Sequence, residues 1–427
     1  MQDFSPHDDA PIHPHTRPPH PDIMAETAAF LDRFIRLAAV PLSLFFGLTT
    51  LTISTCLLLN GMGLTHLDLG PHWHDFQSFW SAGIAATHGN GGKLYDFVWH
   101  SAHIKQVIGV DGQEFGWHYP PQFLLLLAPL ALLPLPLAFL LWCFVPLVLF
   151  ARLAYRLIPD WRAPVIAIGS PIFFANAGYA QNGVLSTVVI GFALLPFIDN
   201  KSPSALNTSL LAFKPHLGLV FPVAFASGGL WSTFWLAAFW LIVQISLTAL
   251  VFGPHIWIDF LGSLAQTKLI VMNEIGAGEH HYASVYGSVR LLNGPASLAY
   301  LLQGLVAGLS LYGVWVVWRG GTSRNLKAAL LVAAIPLTAP YLMHYDMIMA
   351  VLACLLLIRQ VDIDRWPQHD RFILAGLWLG SVLNHGLQKD YAIPAALICN
   401  LLVYYLAFSM TRRERNRISH SAISTPE

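Results

Sequence analysis

The chain is poor in charge. Asp, Glu, Lys and Arg make up 11% of its 427 residues, and 23 cationic side chains balance 23 acidic ones. This balance argues against a nucleic-acid partner, because phosphate backbones are bound by clustered Lys and Arg. The four cysteines all fall in apolar runs without metal-ligand spacing, which argues against a disulfide framework. The sequence contains no glycine-rich phosphate loop and no nucleophile elbow.

Apolar runs fill most of the remaining chain, since 55% of the residues are hydrophobic. A run of about 20 such residues crosses a bilayer as a helix, so the sequence predicts an all-α polytopic membrane protein with about 10–12 transmembrane helices. If every run crosses, the count is twelve; if 120–134 and 204–226 are re-entrant, it is ten. The length of run 204–226 favours twelve. The runs lie near 37–59, 120–134, 136–157, 163–178, 184–199, 204–226, 231–252, 296–318, 326–342, 346–358, 371–388 and 392–410.

Three regions follow from this pattern. Residues 1–30, rich in Pro, His and Asp, are predicted to be a disordered tail rather than a signal peptide. Residues 31–411 form the membrane domain, and residues 412–427 form a basic tail. Irregularly spaced histidines in the first tail offer adventitious metal binding as a minor alternative; they are His7, His13, His15 and His20.

Basic residues set the expected orientation. Arg33 and Arg36 precede the first span, and Arg412 to Arg417 follow the last. The positive-inside rule then places both termini in the cytoplasm and the long polar stretches 61–117 and 253–295 outside. We expect the protein in the plasma membrane, the inner membrane of a bacterium. Twelve alternating spans would, against this rule, put four basic residues outside: Arg152, Arg156, Arg162 and Lys201.

Asp75 is the first candidate for chemistry, because it lies at a membrane edge between His74 and Phe76. Ionisable groups there are costly unless paired, and apolar surroundings raise a carboxyl pKa toward the range of a general base. Asp before Phe-Gln-Ser-Phe-Trp is equally a good helix N-cap. The residues alone leave both interpretations open.

Lys214 is the second, because it stands with Pro215 inside an apolar run. A lysine there is expensive, and the proline breaks or kinks the helix. Snorkelling to the interface is the structural alternative, but residue 214 lies centrally in its run. The sequence favours a lysine that faces a cavity and counters a phosphate.

Polar and aromatic residues at the predicted helix ends complete the candidates. Each has a plain structural alternative as a turn, helix start or belt residue. The pair His280-His281 lacks the i, i+4 spacing of a helical metal site, so no metal and no cofactor is predicted. The candidates are Trp80, Tyr119, Gln181, Asn182, Arg290, Tyr341, His344, Tyr345 and Asp346.

Short motifs from about residue 37 to 410 resemble glycosyltransferase family 87, GT-C type membrane enzymes that include polyprenyl-phosphate-mannose-dependent mannosyltransferases. Ala180 stands where the family's "GQ" turn has glycine. The matching segments are Asp75-Phe76 through Gly83, Leu94-Tyr95-Asp96, Tyr119-Pro120-Pro121 with Pro129-Leu130 and Pro134, Gln181-Asn182, Lys214-Pro215, and Pro340-Tyr341 through Tyr345-Asp346.

The resemblance implies a GT-C-like bundle and an inverting transfer of a hexose, mannose above all, from a polyprenyl-phosphate donor. The acceptor would be a lipid or glycan at the extracytoplasmic face, with membrane lipids as the surroundings. Asp75 matches the catalytic acid of the family's first outer loop. We expect Lys214, Arg290 and His344 to bind the donor phosphate and the other candidates to contact substrate. The rival hypothesis is a transporter or lipid flippase, which also uses broken helices and midplane polar groups.

Overall fold

The computed structural model describes residues 23–65, 73–109, 116–268 and 281–423, with side chains between 37 and 419. Within these ranges the chain is helical, and its only extended pairing is one isolated bridge between Tyr282 and Met343. The prediction of an all-α polytopic membrane protein is confirmed. Most of the predicted tail, residues 1–22, lies outside the described residues, and the first helix begins at Ile23.

Among the described residues, five helices contain a stretch that is long and apolar enough to cross a membrane. Their outer faces carry exposed side chains such as Trp235, Phe239 and Leu250. Lipid is the expected neighbour of such faces, since lipid tails are as apolar as these side chains and their exposure to lipid carries no free-energy cost. The five are α1 (Ile23–Gly61), α5 (Leu135–Leu157), α12 (Trp231–Phe252), α15 (Ala296–Arg319) and α20 (Ala395–Ile423).

Shorter helices pack between and beside these five. The described parts of the two predicted long loops contain helices: stretch 61–117 contains α2 and α3, and stretch 253–295 contains α13 and α14. The shorter helices are α2 (Phe76–Thr87), α3 (Phe97–Ile108), α4 (Leu124–Ala131), α6 (Arg162–Ile168), α7 (Phe173–Tyr179), α8 (Gly183–Ile198), α9 (Ala205–Leu210), α10 (Pro215–Gly218), α11 (Val220–Ser227), α13 (His255–Lys268), α14 (Val285–Leu291), α16 (Arg324–Thr338), α17 (Ile348–Gln360), α18 (Gln368–Gly380) and α19 (Asn384–Tyr391).

Two predicted spans are interrupted. Run 163–178 is split between α6 and α7, and run 204–226 is split into α9, α10 and α11, with a 3-10 turn at Leu211–Phe213. None of these pieces alone approaches the length needed to cross a bilayer. Pro215 begins α10, where its missing N–H costs no hydrogen bond.

Hydrogen bonds at one end of the bundle exclude twelve alternating spans. Arg359 donates to the carbonyls of Arg156 and Leu157 at 3.2 and 2.9 Å, and Arg324 donates to that of Lys201 at 2.7 Å. Twelve alternating spans would have put Arg156 and Lys201 on the opposite face from Arg324 and Arg359. The re-entrant alternative, which keeps them together, agrees with these contacts.

The main core surrounds α16, whose residues from Ala328 to Thr338 are all buried. It packs against α15, α17 and α20, so apolar side chains face it on every side. Because α16 ends at Thr338, the Pro340–Asp346 segment directly follows a helix that is buried in the main core. Within that segment Leu342, His344 and Asp346 are themselves buried, so close packing restricts their side chains.

An aromatic cluster forms the second core and fixes α2. Phe79 of α2 lies 4.7 Å from Trp142 and 5.5 Å from Tyr119, measured between ring centroids. Phe123 stacks on Phe213 at 4.7 Å. Such ring pairs add about 0.5–1.5 kcal/mol each beyond the area that they bury. The start of α2 is thus held against α5 and against the segment that carries Lys214.

Gly183, the first residue of α8, lies directly against the backbone of Tyr345 in the 341–346 segment. A Cβ on Gly183 would collide with the carbonyl oxygen of Tyr345, which is backbone and cannot give way. We expect Gly183→Ala to destabilise the protein by about 1–3 kcal/mol or more, as overpacking does. Gly178→Ala on α7 is the matched control, because a Cβ added there would meet no atom within 4 Å. Thermal unfolding of the two purified variants tests this; equal melting temperatures would contradict the close approach.

Candidate active site

Asp75 stands at the end of an unusual backbone segment. Trp73 and His74 both adopt left-handed conformations, with φ of 66° and 45°. Each costs roughly 1–2 kcal/mol relative to an ordinary conformation, and such strain persists where the surrounding structure enforces it. The Asp75 N–H donates to the carbonyl of Tyr179 at 3.2 Å, which fixes the residue across the chain.

The Asp75 carboxylate does not cap α2, although the residue occupies the N-cap position. Its Oδ2 instead accepts a hydrogen bond of 2.7 Å from Nε2 of Gln181. Burial raises the pKa of Asp75 from 3.8 to about 6, and the Gln181 hydrogen bond acts in the opposite direction. The side chain keeps some solvent exposure. Of the two interpretations that the sequence left open, a partly buried acid or base fits this geometry.

The turn between α7 and α8 presents Gln181 to Asp75. Ala180 is left-handed at φ 50°, which explains why a glycine suits this position. The Asn176 side chain accepts hydrogen bonds from the N–H groups of Gly183 and Val184 at 2.8 and 3.3 Å, and thereby joins α7 to the first turn of α8. Gln181 and Asn182 are therefore in a plain interhelical turn whose two amides point at other functional candidates.

Asn182 links this turn to Tyr119. Its Nδ2 donates to the Tyr119 hydroxyl at 3.0 Å, and the Tyr119 carbonyl accepts from the Tyr95 hydroxyl at 3.0 Å. The indole of Trp142 donates to the Ala180 carbonyl at 2.8 Å. The predicted helix start at Tyr119 and the Gln181-Asn182 turn thus form one hydrogen-bonded unit.

Lys214 and Asp346 form a buried ion pair. Nζ lies 2.7 Å from Oδ1, and the two side chains are 5% and 3% exposed. Nζ also lies 5.1 Å from the ring centroid of Tyr345. Lys214 therefore does not snorkel to an interface. Its charge is neutralised by Asp346, so it can serve a phosphate only by sharing its ammonium with that carboxylate.

His344 adjoins the Asp75 region through Tyr179. The Tyr179 hydroxyl lies 3.5 Å from Nδ1 of His281, and the rings of His281 and His344 are 6.2 Å apart. Asp75 and His344, which are 269 positions apart, are thus linked indirectly, through Tyr179 and His281. Tyr341 lies at its edge, with its ring 6.1 Å from His216 and 5.9 Å from Tyr282.

Two predicted residues are engaged elsewhere. The Trp80 indole donates to the Leu133 carbonyl at 3.3 Å, while Phe79 takes the position against Tyr119. Arg290 donates to the Gly294 carbonyl at 3.0 Å and closes the end of α14. Among the described residues, no contact joins either side chain to Asp75 or Lys214. Trp73, two residues before Asp75, is buried, and its ring centroid lies 5.4 Å from that of Phe139.

Residues that the sequence did not single out complete the neighbourhood. Tyr179 bridges to His281, Asn176 closes the turn, and the ring of His385 lies 5.1 Å from that of His281. Asn176 and Tyr179 lie shortly before Gln181-Asn182 on a short helix, a spacing that points both toward one end. His385 gives no local signal.

The model of glycosyltransferase family 87 matches residues 117–340, which is more than half of the chain. The chain belongs to glycosyltransferase family 87. It is accordingly a membrane glycosyltransferase, and the transporter alternative falls away. The matched region contains Tyr119, Gln181, Asn182 and Lys214, whereas Asp75 and the 341–346 segment lie outside it. No curated protein and no solved structure matches the chain.

The ion pair gives a direct stability prediction. Lys214→Met leaves the Asp346 carboxylate buried without its cation, which we expect to cost about 3–5 kcal/mol. Asp346→Leu should cost a similar amount, and the double variant should recover most of the loss, because no buried charge remains. Thermal unfolding in detergent measures all three.

Arg156→Met is the control for this cycle. Arg156 pairs with Asp199 at 3.0 Å but is 61% exposed, and Asp199 also binds Arg359. An exposed pair is worth about 0–1 kcal/mol, so this variant should melt near the wild type. If Lys214→Met melts as Arg156→Met does, the ion pair is not the constraint described here.

Proposed function

We propose that the protein transfers a hexose, mannose being the expected sugar, from a polyprenyl-phosphate donor to a lipid or glycan acceptor. The transfer inverts the anomeric centre, and Asp75 is the general base. One observation carries the proposal. In this glycosyltransferase the Asp75 carboxylate accepts a hydrogen bond of 2.7 Å from Gln181, and burial raises the pKa of Asp75 to about 6. A base with a pKa near the ambient pH is both deprotonated and able to accept a proton.

The proposed reaction is a single displacement. The acceptor oxygen attacks the anomeric carbon while its proton moves to Asp75, and the bond from that carbon to the phosphate oxygen breaks. The electron pair leaves with the polyprenyl phosphate. Inversion requires the base and the leaving phosphate on opposite faces of the sugar, so the phosphate belongs on the side away from Asp75.

The leaving phosphate needs hydrogen-bond donors or cations. His344 and Lys214 support this role by position, since His344 belongs to the 341–346 segment and Lys214 pairs with Asp346 of that segment. Lys214 would act jointly with Asp346, which makes its contribution smaller than that of a lone cation. Tyr119, Asn182, Tyr341 and Tyr345 offer hydroxyl and amide groups to sugar hydroxyls. The roles that we predicted for Arg290 and Trp80 have no contact among the described residues to support them.

The extracytoplasmic placement of the site is also a proposal. Helix α17 begins at Ile348, beside Asp346, and ends at Gln360, beside Arg359. Its 13 residues separate the site from the basic cluster of Arg156, Arg324 and Arg359 by about 20 Å. Basic clusters favour the cytoplasmic face, which supports cytoplasmic termini and a site on the opposite face of the bacterial inner membrane.

Asp75→Asn tests the base directly. The change keeps the side-chain shape and removes proton acceptance, so we expect the transfer rate to fall about 10²–10⁴-fold with little change in melting temperature. Purified protein in lipid vesicles is assayed with a panel of polyprenyl-phosphate sugars, with membranes of a deletion strain as the acceptor source. Asp96→Asn is the control: Asp96 caps α3 by accepting from Trp99 N–H at 3.0 Å and should affect stability rather than rate. Asp75→Asn activity within a few-fold of wild type would refute the assignment.

The pH dependence gives a second test. kcat/KM should rise with pH through a midpoint near 6, because only the deprotonated carboxylate accepts a proton. Gln181→Leu removes the hydrogen bond that lowers the pKa of Asp75, so its midpoint should move to higher pH and its rate should recover in alkaline buffer. A midpoint that is the same in both proteins would show that another group controls the rate.

A further inference from the structure

Three histidines from three separate segments converge beside the site. His281 precedes α14, His344 begins the turn after α16, and His385 lies in α19. One ligand nitrogen from each lies within 4.8 Å of the other two. The ring centroids are 5.1 Å apart for His281 and His385, and 5.8 Å apart for His344 and His385.

Two of these histidines lie directly next to paired backbone. Tyr282 forms a bridge with Met343, and the Ala283 N–H donates to the Leu342 carbonyl at 2.8 Å. His281 and His344 are the neighbours of Tyr282 and Met343 in the chain. Their separation is therefore set by main-chain hydrogen bonds rather than by side-chain chance.

The third segment is tied to the same bridge. Gln388 of α19 donates to the Tyr282 carbonyl at 3.0 Å and accepts from the Ala396 N–H at 2.9 Å. Asn400 donates to the Ala283 carbonyl at 3.0 Å. Both amides are buried. His385, three residues before Gln388 on the same helix, is thus held toward His281 and His344.

We propose that His281, His344 and His385 bind one divalent transition-metal ion, with Zn²⁺ as the ion that their chemistry favours. Neutral imidazole nitrogens are good ligands for zinc, and three of them with an open fourth position are a recurrent zinc geometry. Two nitrogens on one tetrahedral zinc lie about 3.4 Å apart, given Zn–N bonds of about 2.0–2.1 Å. The present spacing closes to that value when side-chain rotation moves the nitrogens by about 1 Å.

Tyr179 offers a hydrogen-bond partner to the His281 nitrogen that would not bind the ion. Metal-bound histidines usually engage their second nitrogen with a protein group, which fixes the ring orientation. The Tyr179 hydroxyl lies 3.5 Å from Nδ1 of His281, which directs Nε2 toward the ion. Tyr179 also receives the Asp75 N–H on its carbonyl, so an ion here would stiffen the neighbourhood of Asp75.

The two proposals share His344, but this one is tested apart from the transferase mechanism, because binding is measured without donor or acceptor. Full-length protein without an affinity tag is stripped with chelator, and Zn²⁺ is titrated against a fluorescent competitor. We expect one saturable equivalent and a rise in melting temperature with Zn²⁺, but no rise with Mg²⁺, which prefers oxygen ligands. A protein with no saturable equivalent, or with equal responses to both ions, would overturn the proposal.

Variants decide which residues hold the ion. His385→Gln and His281→Gln should each weaken Zn²⁺ binding by about 100-fold or more and abolish the thermal shift, since each removes a direct ligand. Tyr179→Phe should weaken binding by about 10-fold, as loss of an outer contact does. His88→Gln is the matched control, since His88 binds the Ile84 carbonyl at 2.8 Å away from the cluster. Unchanged affinity in His385→Gln would refute the site.

The amino-terminal histidines need their own control. A variant in which His7, His13, His15 and His20 are all replaced by Asn should still bind one equivalent of Zn²⁺ tightly and still show the rise in melting temperature. If this variant loses them while His385→Gln keeps them, the ion binds the tail and the three-histidine site is wrong.

Discussion

The hydrogen bond from Gln181 to Asp75 is the contact on which the site depends. It joins residues 106 positions apart, at the start of α2 and in the turn between α7 and α8. Left-handed residues flank both partners, with Trp73 and His74 on one side and Ala180 on the other. A strained backbone on each side of one short bond means that the surrounding packing enforces the contact. The carboxylate is consequently oriented before any substrate arrives, which is how fixed groups lower a reaction barrier.

The fold class could be predicted from the sequence, but the path of the chain could not be in full. Long apolar runs identify membrane helices because backbone groups in lipid must bond within their own segment. The same rule does not show where a run breaks, since freed backbone groups at Lys214 find partners in the protein interior. In the twelve-span count, the expected position of Arg156 and Lys201 outside conflicted with the positive-inside rule. Their contacts with Arg359 and Arg324 place all four residues at the same end of the bundle, which resolves the conflict.

The sequence suggests candidate site residues, but it does not specify the contacts that these residues make. Asp75 and Lys214 were identified because a charge in an apolar setting is costly. The partner of Lys214 proved to be Asp346, 132 positions away, and no local pattern specifies such a pairing. The hydrogen bonds of Trp80 and Arg290 to main-chain carbonyls could not be predicted for a related reason, because such bonds leave no trace in residue identity. Several of these positions also lie outside the family match, so their roles rest on geometry.

The central claim is that Asp75 accepts the proton of the acceptor hydroxyl. A structure with a non-cleavable polyprenyl-phosphonate sugar tests it most directly. An acceptor oxygen lies about 3 Å from its base and about 3–3.5 Å from the carbon that it attacks. The account therefore predicts the anomeric carbon roughly 6 Å from the Asp75 carboxylate, with the phosphonate on the opposite face of the sugar, toward His344. A sugar bound elsewhere, or a phosphonate lying between Asp75 and the anomeric carbon, would contradict it.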